Sequence, residues 1–544
     1  MQQTEIAGRT SGPQSLIRKI LWAAPLFFVG VLFYWPVSEI VLLGLSRDWL
    51  RLLLEQKTLE VVWFTLWQAA VSTMVTVVVS IPGAYLLYRR SFQGQRIVSA
   101  LITVPFVLPS IVVAVGFTVF RGVHEFYQGL GLTFLADPVY WIIAAHVFVN
   151  YSIAVKTIGG VWATLDSDTE SAAELDGAGR FRTLVSVSLP QLRPAISSAA
   201  ALIFLFSATS FGVILVLGGG QVQTIETAIF FAATQRLDLE LAAALVLIQT
   251  LITAIAFVVG TKLSGGTFGL EQVFERHRKP RVDRRDLLAV LFSSAIWIGL
   301  LAMPLVLVLV QAFTANGAFG LNNFANLGTR GARDLLNITL FEAAGNSLRN
   351  MLIASVIAFL LGTLISWLLT RTRLQSLDLV FLLPLGVSSV VLGFGFLISF
   401  DAEWFPLRSS WLIVPLAQAL IALPMVVRLV YPALLSLGRE PIEQAQLDGA
   451  SSWQIWKFVE SKMIRGVLLT ALGFAAIISI GEFGASSFLA NGSQATIPTM
   501  LYRLISRPGE QNYGMAMAVS AILILLSALV VYIVSRVPKE KLAP

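Results

Sequence analysis

The chain is predicted to be an all-α polytopic membrane protein, with about twelve transmembrane helices in two parallel six-helix repeats. Three observations predict this. Hydrophobic residues make up 56% of the 544 residues and charged residues only 13%, with mean hydropathy +0.79; a soluble domain carries about twice that charge. Apolar windows of about 20 residues, the length that crosses hydrocarbon as a helix, recur along the chain. The second half also echoes the first: one constant offset pairs Lys156 with Arg428, Asp176 with Asp448, Phe211-Gly212 with Phe483-Gly484 and Thr224-Ile225 with Thr496-Ile497.

Taken in order, Met1–Lys19 is polar and basic and is expected to be a cytoplasmic tail. The run Ile20–Leu45 is too long for a signal-peptide core and has no small-residue cleavage site, so it reads as a retained first span. Further spans are expected at Val61–Tyr88, Ile97–Phe120, Val139–Trp162, Ile196–Leu217 and Leu241–Lys262, completing a first repeat over 20–263. Residues 264–286 form a basic linker containing RHRKPRVDRR, and the second repeat occupies 287–544. Its spans are expected at Leu287–Phe313, Ser347–Thr370, Leu377–Phe400, Leu412–Leu435, Val467–Leu489 and Gly514–Ser535. VPFVLPSIVVAVGF (Val104–Phe117) is matched by LPLGVSSVVLGFGF (Leu383–Phe396), and LLYRRSFQGQ ends one span as LLTRTRLQSL ends its partner.

Six crossings per repeat is an even number, so the repeats are parallel and both termini are expected on the cytoplasmic side. Arg89, Arg90, Arg371, Arg373, Arg536, Lys539 and Lys541 then lie inside, as the positive-inside rule asks, while Arg47, Arg51, Arg330 and Arg333 fall in outer loops. This distribution accounts for the net charge of +7 without nucleic acid as a partner; the lipid bilayer is the expected surroundings.

Several chemistries are excluded. With no cysteine there are no disulfides, thiolate nucleophiles or cysteine metal sites. The three histidines, His124, His146 and His277, are too scattered for a histidine metal cluster. No Gly-Lys dipeptide exists, hence no GxxxxGK[ST] phosphate loop. Energy must come from an ion gradient or from a separate ATPase. Ion coupling usually needs buried carboxylates, and within the spans Glu482 is the one convincing case.

Two polar stretches stand out in this apolar chain, SAAELDGAGRFRTLVSVSLPQLRP from Ser171 and EQAQLDGASSWQIWKFVESKMIRG from Glu443. They share Leu175-Asp176-Gly177-Ala178 and Leu447-Asp448-Gly449-Ala450. Ser171–Thr183 and Glu443–Lys457 are each expected to form a short helix across the end of a bundle. Gly177 and Gly449 permit a sharp turn, and Pro190 is expected to break the helix before the next span. Glu482, in Ile480-Gly481-Glu482-Phe483-Gly484, has Ser210 as its counterpart; flanking glycines suit close helix approach and a locally open backbone. The carboxylate either lines a path for a cationic or metal-bearing solute or bonds a neighbouring hydroxyl. His146 and Asn150, one turn apart, either face that path or are buried structural groups. Leu217-Gly218-Gly219-Gly220 and Asn491-Gly492 are expected outer turns, and Trp22, Tyr140 and Trp141 suit interface belts.

The polar loops resemble those of the membrane-spanning permeases of binding-protein-dependent ABC importers. The family pattern runs Glu-Ala-Ala, then Gly, then an apolar-Leu-Pro and a second Pro. The first loop keeps Ala172, Ala173, Gly177, Leu189, Pro190 and Pro194 with Ser171 in place of the Glu; the second keeps Glu443, Ala445 and Gly449 with Lys462 in place of the first proline. The resemblance implies the type I permease fold in a bacterial inner membrane. It also implies that the loops, Asp176 and Asp448 included, dock on two copies of an ATP-binding cassette ATPase. ATP and Mg would belong to that subunit, with no cofactor on this chain and no catalytic or metal site. An extracytoplasmic solute-binding protein is implied as a further partner. FTLWQAAVS (Phe64–Ser72), AHVFVN (Ala145–Asn150), LGGGQVQTIETAIF (Leu217–Phe230) and ISIGEFGASSF (Ile478–Phe488) resemble the family's thiamine branch, with the ferric-iron branch next. Outside this family, an ion-coupled secondary transporter is the remaining reading.

Overall fold

A backbone in hydrocarbon must satisfy its own N–H and C=O groups, so apolar stretches here become helices. The computed structural model describes residues 13–45, 51, 54–121, 131, 136–263, 279–315, 317–371, 380–381, 383–401, 406–507 and 509–536. The tail as far as residue 12, Arg47, His124, residues 264–278 of the linker with His277, Arg373, Lys539 and Lys541 lie outside the described residues.

The first half runs α1 (Ile20–Leu45), α2 (Gln56–Arg89), the bent pair α3 (Gln95–Val107) and α4 (Ser110–Phe120), and α5 (Pro138–Thr164). Then come short α6 (Ser167–Leu175), α7 (Phe181–Ala208), short α8 (Gly212–Leu217) and α9 (Ile225–Phe231), and α10 (Leu239–Leu263). The second half runs α11 (Arg284–Ala312), α12 (Leu340–Leu369), α13 (Ser389–Ser399), α14 (Ile413–Leu435) and α15 (Arg439–Leu447). It ends with the bent pair α16 (Ser452–Met463) and α17 (Arg465–Gly481), then α18 (Gly484–Leu489), α19 (Ile497–Ile505) and α20 (Glu510–Arg536).

Nine of the described helices are long and apolar enough to cross a membrane, or eleven if each bent pair counts once. The strands among the described residues are a two-residue pair, Thr314–Ala315 with Ala318–Phe319. The protein is an all-α polytopic membrane protein.

Four expected spans take a different form. Ile97–Phe120 is bent by 106° at Leu108-Pro109, because the proline ring pushes the preceding residue out of the helical region; Leu108 is extended at φ −67°, ψ 139°. Ile196–Leu217 stops at Ala208 and resumes at Gly212, and Val467–Leu489 stops at Gly481 and resumes at Gly484. Leu377–Phe400 is not one continuous helix: among its described residues Val380 and Phe381 are helical, Leu383–Gly386 is a 3₁₀ turn and the α-helix resumes as the 11 residues of α13, with residues 377–379 and 382 outside the described set.

The chain divides into two compact units that cut across the repeat boundary. Of the described residues, the larger holds those within Leu43–Ala344 and Ala490–Arg536, and the smaller those up to Leu42 and within Gly345–Leu489. In the larger unit α2 and α5 pack closely because small residues meet aromatic ones. A Cβ on Gly83 would fall on the Tyr151 hydroxyl, and one on Gly159 on the Tyr88 ring. Trp297 of α11 donates its indole N–H to Tyr151 Oη at 3.1 Å. The described end of the linker is pinned to this unit: Ser91 N–H donates to Pro280 O (2.9 Å), Val282 N–H to Ser91 O (3.2 Å) and Lys279 Nζ to Leu87 O (2.8 Å). Arg90 and Tyr85 both reach the buried Asp286, at 2.9 and 3.0 Å. In the smaller unit Ala358 of α12, Ala422, Val426 and Val430 of α14 and Ala471 and Ala475 of α17 form the core.

Candidate functional site: two turn loops and two broken helices

Each polar loop is a helix, a glycine turn and a second helix, where one helix was expected. α6 starts on Asp166, whose side chain accepts from Asp168 N–H. The acidic groups of its first turn, Asp168 and Glu170, suit the positive end of the helix dipole. It ends when Gly177 turns to φ +85°, and α15 ends when Gly449 turns to φ +81°. The closing bonds agree between loops: Ala178 N–H to Ala173 O (3.0 Å) with Gly177 N–H to Glu174 O (3.1 Å), and Ala450 N–H to Ala445 O (2.9 Å) with Gly449 N–H to Gln446 O (3.0 Å). This six-to-one and five-to-two pairing is the Schellman stop, which needs a left-handed residue after the cap. It explains the shared Leu-Asp-Gly-Ala. Nothing lies within 4 Å of a Cβ at either glycine, so backbone conformation, not space, selects glycine. Ser171, Ala172 and Ala173 sit inside α6, Glu443 and Ala445 inside α15, and Asp176 and Asp448 are the C-caps.

The loops present apolar side chains outward. Leu175 is 89% exposed and Phe181 79%, matched in the second loop by Leu447 at 81% and Trp453 at 67%.

Pro190 does not break the helix, contrary to expectation. A π segment at Leu184–Ser188 runs straight into Leu189–Ala208, with Pro190 in the first turn of the latter. The wider π turn takes the place of the i→i−4 bond that a proline cannot donate. The second repeat has its π segment at the matching place, Trp456–Glu460, although Lys462 stands for the proline.

An arginine ties each loop to a span. Arg89, at the end of α2, donates to Leu165 O (2.9 Å) and to Glu170 Oε2 (2.5 Å), and Ser188 Oγ donates to Glu170 Oε1 (2.7 Å). In the smaller unit Arg371, at the end of α12, reaches Glu460 Oε1 at 2.6 Å and lies 4.2 Å from the Trp367 ring centroid. Sequence reasoning missed both pairs. The repeated LLYRR and LLTRT, which place Arg89 opposite Arg371, were the available signal.

The spans that follow the loops are broken at one register. Ser210 lies half-buried in the first break, after Ala208. Glu482 lies in the second, extended at φ −68°, ψ 123° and 6% exposed. Its carboxylate accepts from Ala485 N–H (2.6 Å), Ser486 N–H (3.0 Å) and Ser486 Oγ (2.6 Å), holding the start of α18. His146 and Asn150 are buried on α5, where His146 Nδ1 meets Ser72 Oγ at 3.2 Å and Asn150 Nδ2 meets Ser207 Oγ at 3.3 Å. After each break an equivalent capping pair starts the next helix, Thr224 N–H to Thr227 Oγ1 and Thr496 N–H to Thr499 Oγ1, both 2.9 Å.

Both duplicated features fall inside the segments matched by one family. The binding-protein-dependent transport system inner membrane component family matches residues 77–265 and again 354–539, more than half of the chain. The chain belongs to this family. It is a multi-pass inner-membrane protein of permease type. Among curated proteins it is 29% identical over 497 residues to the thiamine transport system permease protein ThiP of Salmonella typhimurium, covering 88% of this chain and 89% of that one. It is 25% identical over 515 residues to the Haemophilus influenzae ThiP, covering 91% and 92%. It is also 25% identical over 503 residues to the ferric transport system permease protein FbpB of Actinobacillus pleuropneumoniae, covering 87% and 70%.

Proposed function

We propose that this chain is the translocating subunit of an ATP-driven, binding-protein-dependent importer, and that its cargo is thiamine or a thiamine phosphate. One observation carries the coupling half of this reading: the same Schellman turn, flanked by exposed Leu and aromatic side chains, occurs at Gly177 and at Gly449. A duplicated surface suits a partner that is itself present twice. The chain has no phosphate loop of its own, so we assign ATP and Mg to two copies of a separate ATPase docked on Leu175, Phe181, Leu447 and Trp453. No cofactor is assigned to this chain. α7 joins the first loop to its break as one helix, with its π segment at Leu184–Ser188. In the second repeat α16 and α17, bent by 82°, join loop to break. Movement of a loop would then reach the breaks at Ser210 and Glu482, which we assign to the translocation path as backbone openings. Glu482 holds the second opening in shape through its bonds to α18.

In this reading the repeats meet at the linker 264–286, both termini are cytoplasmic, and an extracytoplasmic binding protein delivers the cargo. Support for the cargo is the length of the likeness to the thiamine permeases, nearly the whole of both chains. Ferric iron is the second reading, favoured by the likeness to the ferric permease. Uptake of labelled thiamine and of ferric iron, measured in parallel in cells with and without the gene, separates them. Loss of thiamine uptake alone is expected. Loss of iron uptake alone would overturn the cargo assignment.

A further inference from the structure

We infer that the larger unit holds a monovalent-cation site at the broken end of α7, walled by Gln68, Asn150, Gln249 and His146. The last carbonyls of any helix lack intrahelical donors, and here α7 ends inside a bundle. Its end is met by side chains from three other spans. Gln68 Nε2 of α2 donates to Ser207 O at 2.9 Å, and Gln249 Nε2 of α10 to Ala208 O at 3.4 Å. Asn150 Nδ2 of α5 donates to Ser207 Oγ at 3.3 Å. His146, one turn before Asn150, meets Ser72, one turn after Gln68, at 3.2 Å. The four polar residues are buried, 0 to 3% exposed.

These bonds use the nitrogens of the three amides and leave their oxygens over. Gln68 Oε1, Asn150 Oδ1, Gln249 Oε1 and His146 Nε2 have no hydrogen-bond partner. In a carboxamide the oxygen sits beside the nitrogen, so each of the three oxygens lies no further from the Ser207–Ala208 end than one hydrogen bond plus the width of an amide. Stranded buried acceptors are costly, because each has given up its water without gaining a partner. One water has two hydrogens for three amide oxygens, whereas a cation takes all three; His146 Nε2 joins them in the tautomer whose Nδ1 carries the proton.

The chemistry of the wall selects the ion. Neutral amide and carbonyl oxygens at the negative end of a helix dipole suit a hard cation. Carbonyls at the ends of interrupted membrane helices are a recurring setting for one. None of Gln68, Ser72, His146, Asn150, Ser207 or Gln249 carries a carboxylate, so a single positive charge fits, whereas a divalent ion calls for acidic ligands. A lone imidazole is too few soft ligands for a transition metal. The second repeat keeps amides at two of these places, Asn350 for Gln68 and Gln418 for His146, but has Ala354 at the Ser72 position and Ala422 at the Asn150 position, so the full set occurs in the first repeat alone. The site requires no ion gradient: the cation is a resident of the bundle.

The test uses the full-length chain in lipid nanodiscs and follows thermal unfolding in NaCl, KCl or LiCl against N-methylglucamine chloride at one ionic strength. An alkali cation is expected to raise Tm saturably, as a ligand of the folded state does, and Gln249→Met is expected to abolish the rise. Asn150→Asp adds a charge to the wall and is expected to lower the half-saturating concentration about tenfold, which keeps the test decisive if Gln249→Met does not fold. Superimposable melting curves in every salt would overturn the inference, leaving a site filled by water. So would a half-saturating concentration unmoved in Asn150→Asp. Neither ATPase nor cargo enters this measurement, so it stands apart from the proposed transport function.

Discussion

Glu460 takes Arg371 directly, at 2.6 Å, from the position that Ser188 holds in the first repeat. Ser188 instead donates to Glu170, the acid that binds Arg89, and the Glu170 position is Ile442 in the second repeat. The arginine is kept in both repeats. Its acid comes from the loop helix in one and from the π turn in the other.

The two placements should therefore be exchangeable. Glu170→Ile alone is expected to leave Arg89 half-buried without its acid and to reduce transport severalfold. Adding Ser188→Glu rebuilds the second repeat's arrangement and is expected to restore most of that loss. Uptake that is equal in the single and double variants would show that the pair does not matter to coupling.

Pro190→Ala is expected to change melting temperature and uptake little. The second repeat forms the same π segment with Lys462 at that position, so the proline is tolerated there, not required. A large loss of stability in this variant would contradict that explanation.

Much of this was legible in the sequence. Composition and window length announce membrane helices, because hydrocarbon imposes one secondary structure on every apolar run. Gly177 and Gly449 were legible as turns, since repeated glycine in a polar stretch has few other uses. The glycines around Glu482 gave warning of an open backbone. The first break was not legible: Thr209-Ser210-Phe211 passes as helix in an apolar run, and the donors that take up the Ser207 and Ala208 carbonyls, Gln68 and Gln249, come from distant spans. Arg89 and Arg371 read as positive-inside charges, a pattern that conceals specific ion pairs. The assignment of α1, up to Leu42, and α11 to compact units built on the opposite repeat's body rests on tertiary packing, which periodicity does not encode.

Gly177→Val and Gly449→Val, made together, are expected to abolish transport and ATPase stimulation while the protein still inserts. A β-branched residue at φ near +80° is strained by about 1–3 kcal/mol per site, and relief means opening the Schellman turn. Because nothing crowds either position, Gly→Asn, which tolerates the left-handed region, should retain most activity. Equal loss in the Asn and Val variants would count against backbone conformation as the cause.

Glu482→Gln replaces an acceptor with an amide nitrogen facing the N–H groups of Ala485 and Ser486. A lower melting temperature is expected, about 1–3 kcal/mol of lost stability, with the KM for uptake moved less than about twofold. A tenfold rise in KM at unchanged melting temperature would make the carboxylate a cargo contact instead.

The most direct measurement is uptake of labelled thiamine into proteoliposomes holding this chain with the proposed ATPase and binding protein, with ATP inside and ionophores collapsing all ion gradients. Uptake is expected to need ATP, to persist without gradients and to disappear in the double Gly→Val variant. Uptake that survives ATP removal and stops with the ionophores would contradict this expectation, and would place the energy source in an ion gradient.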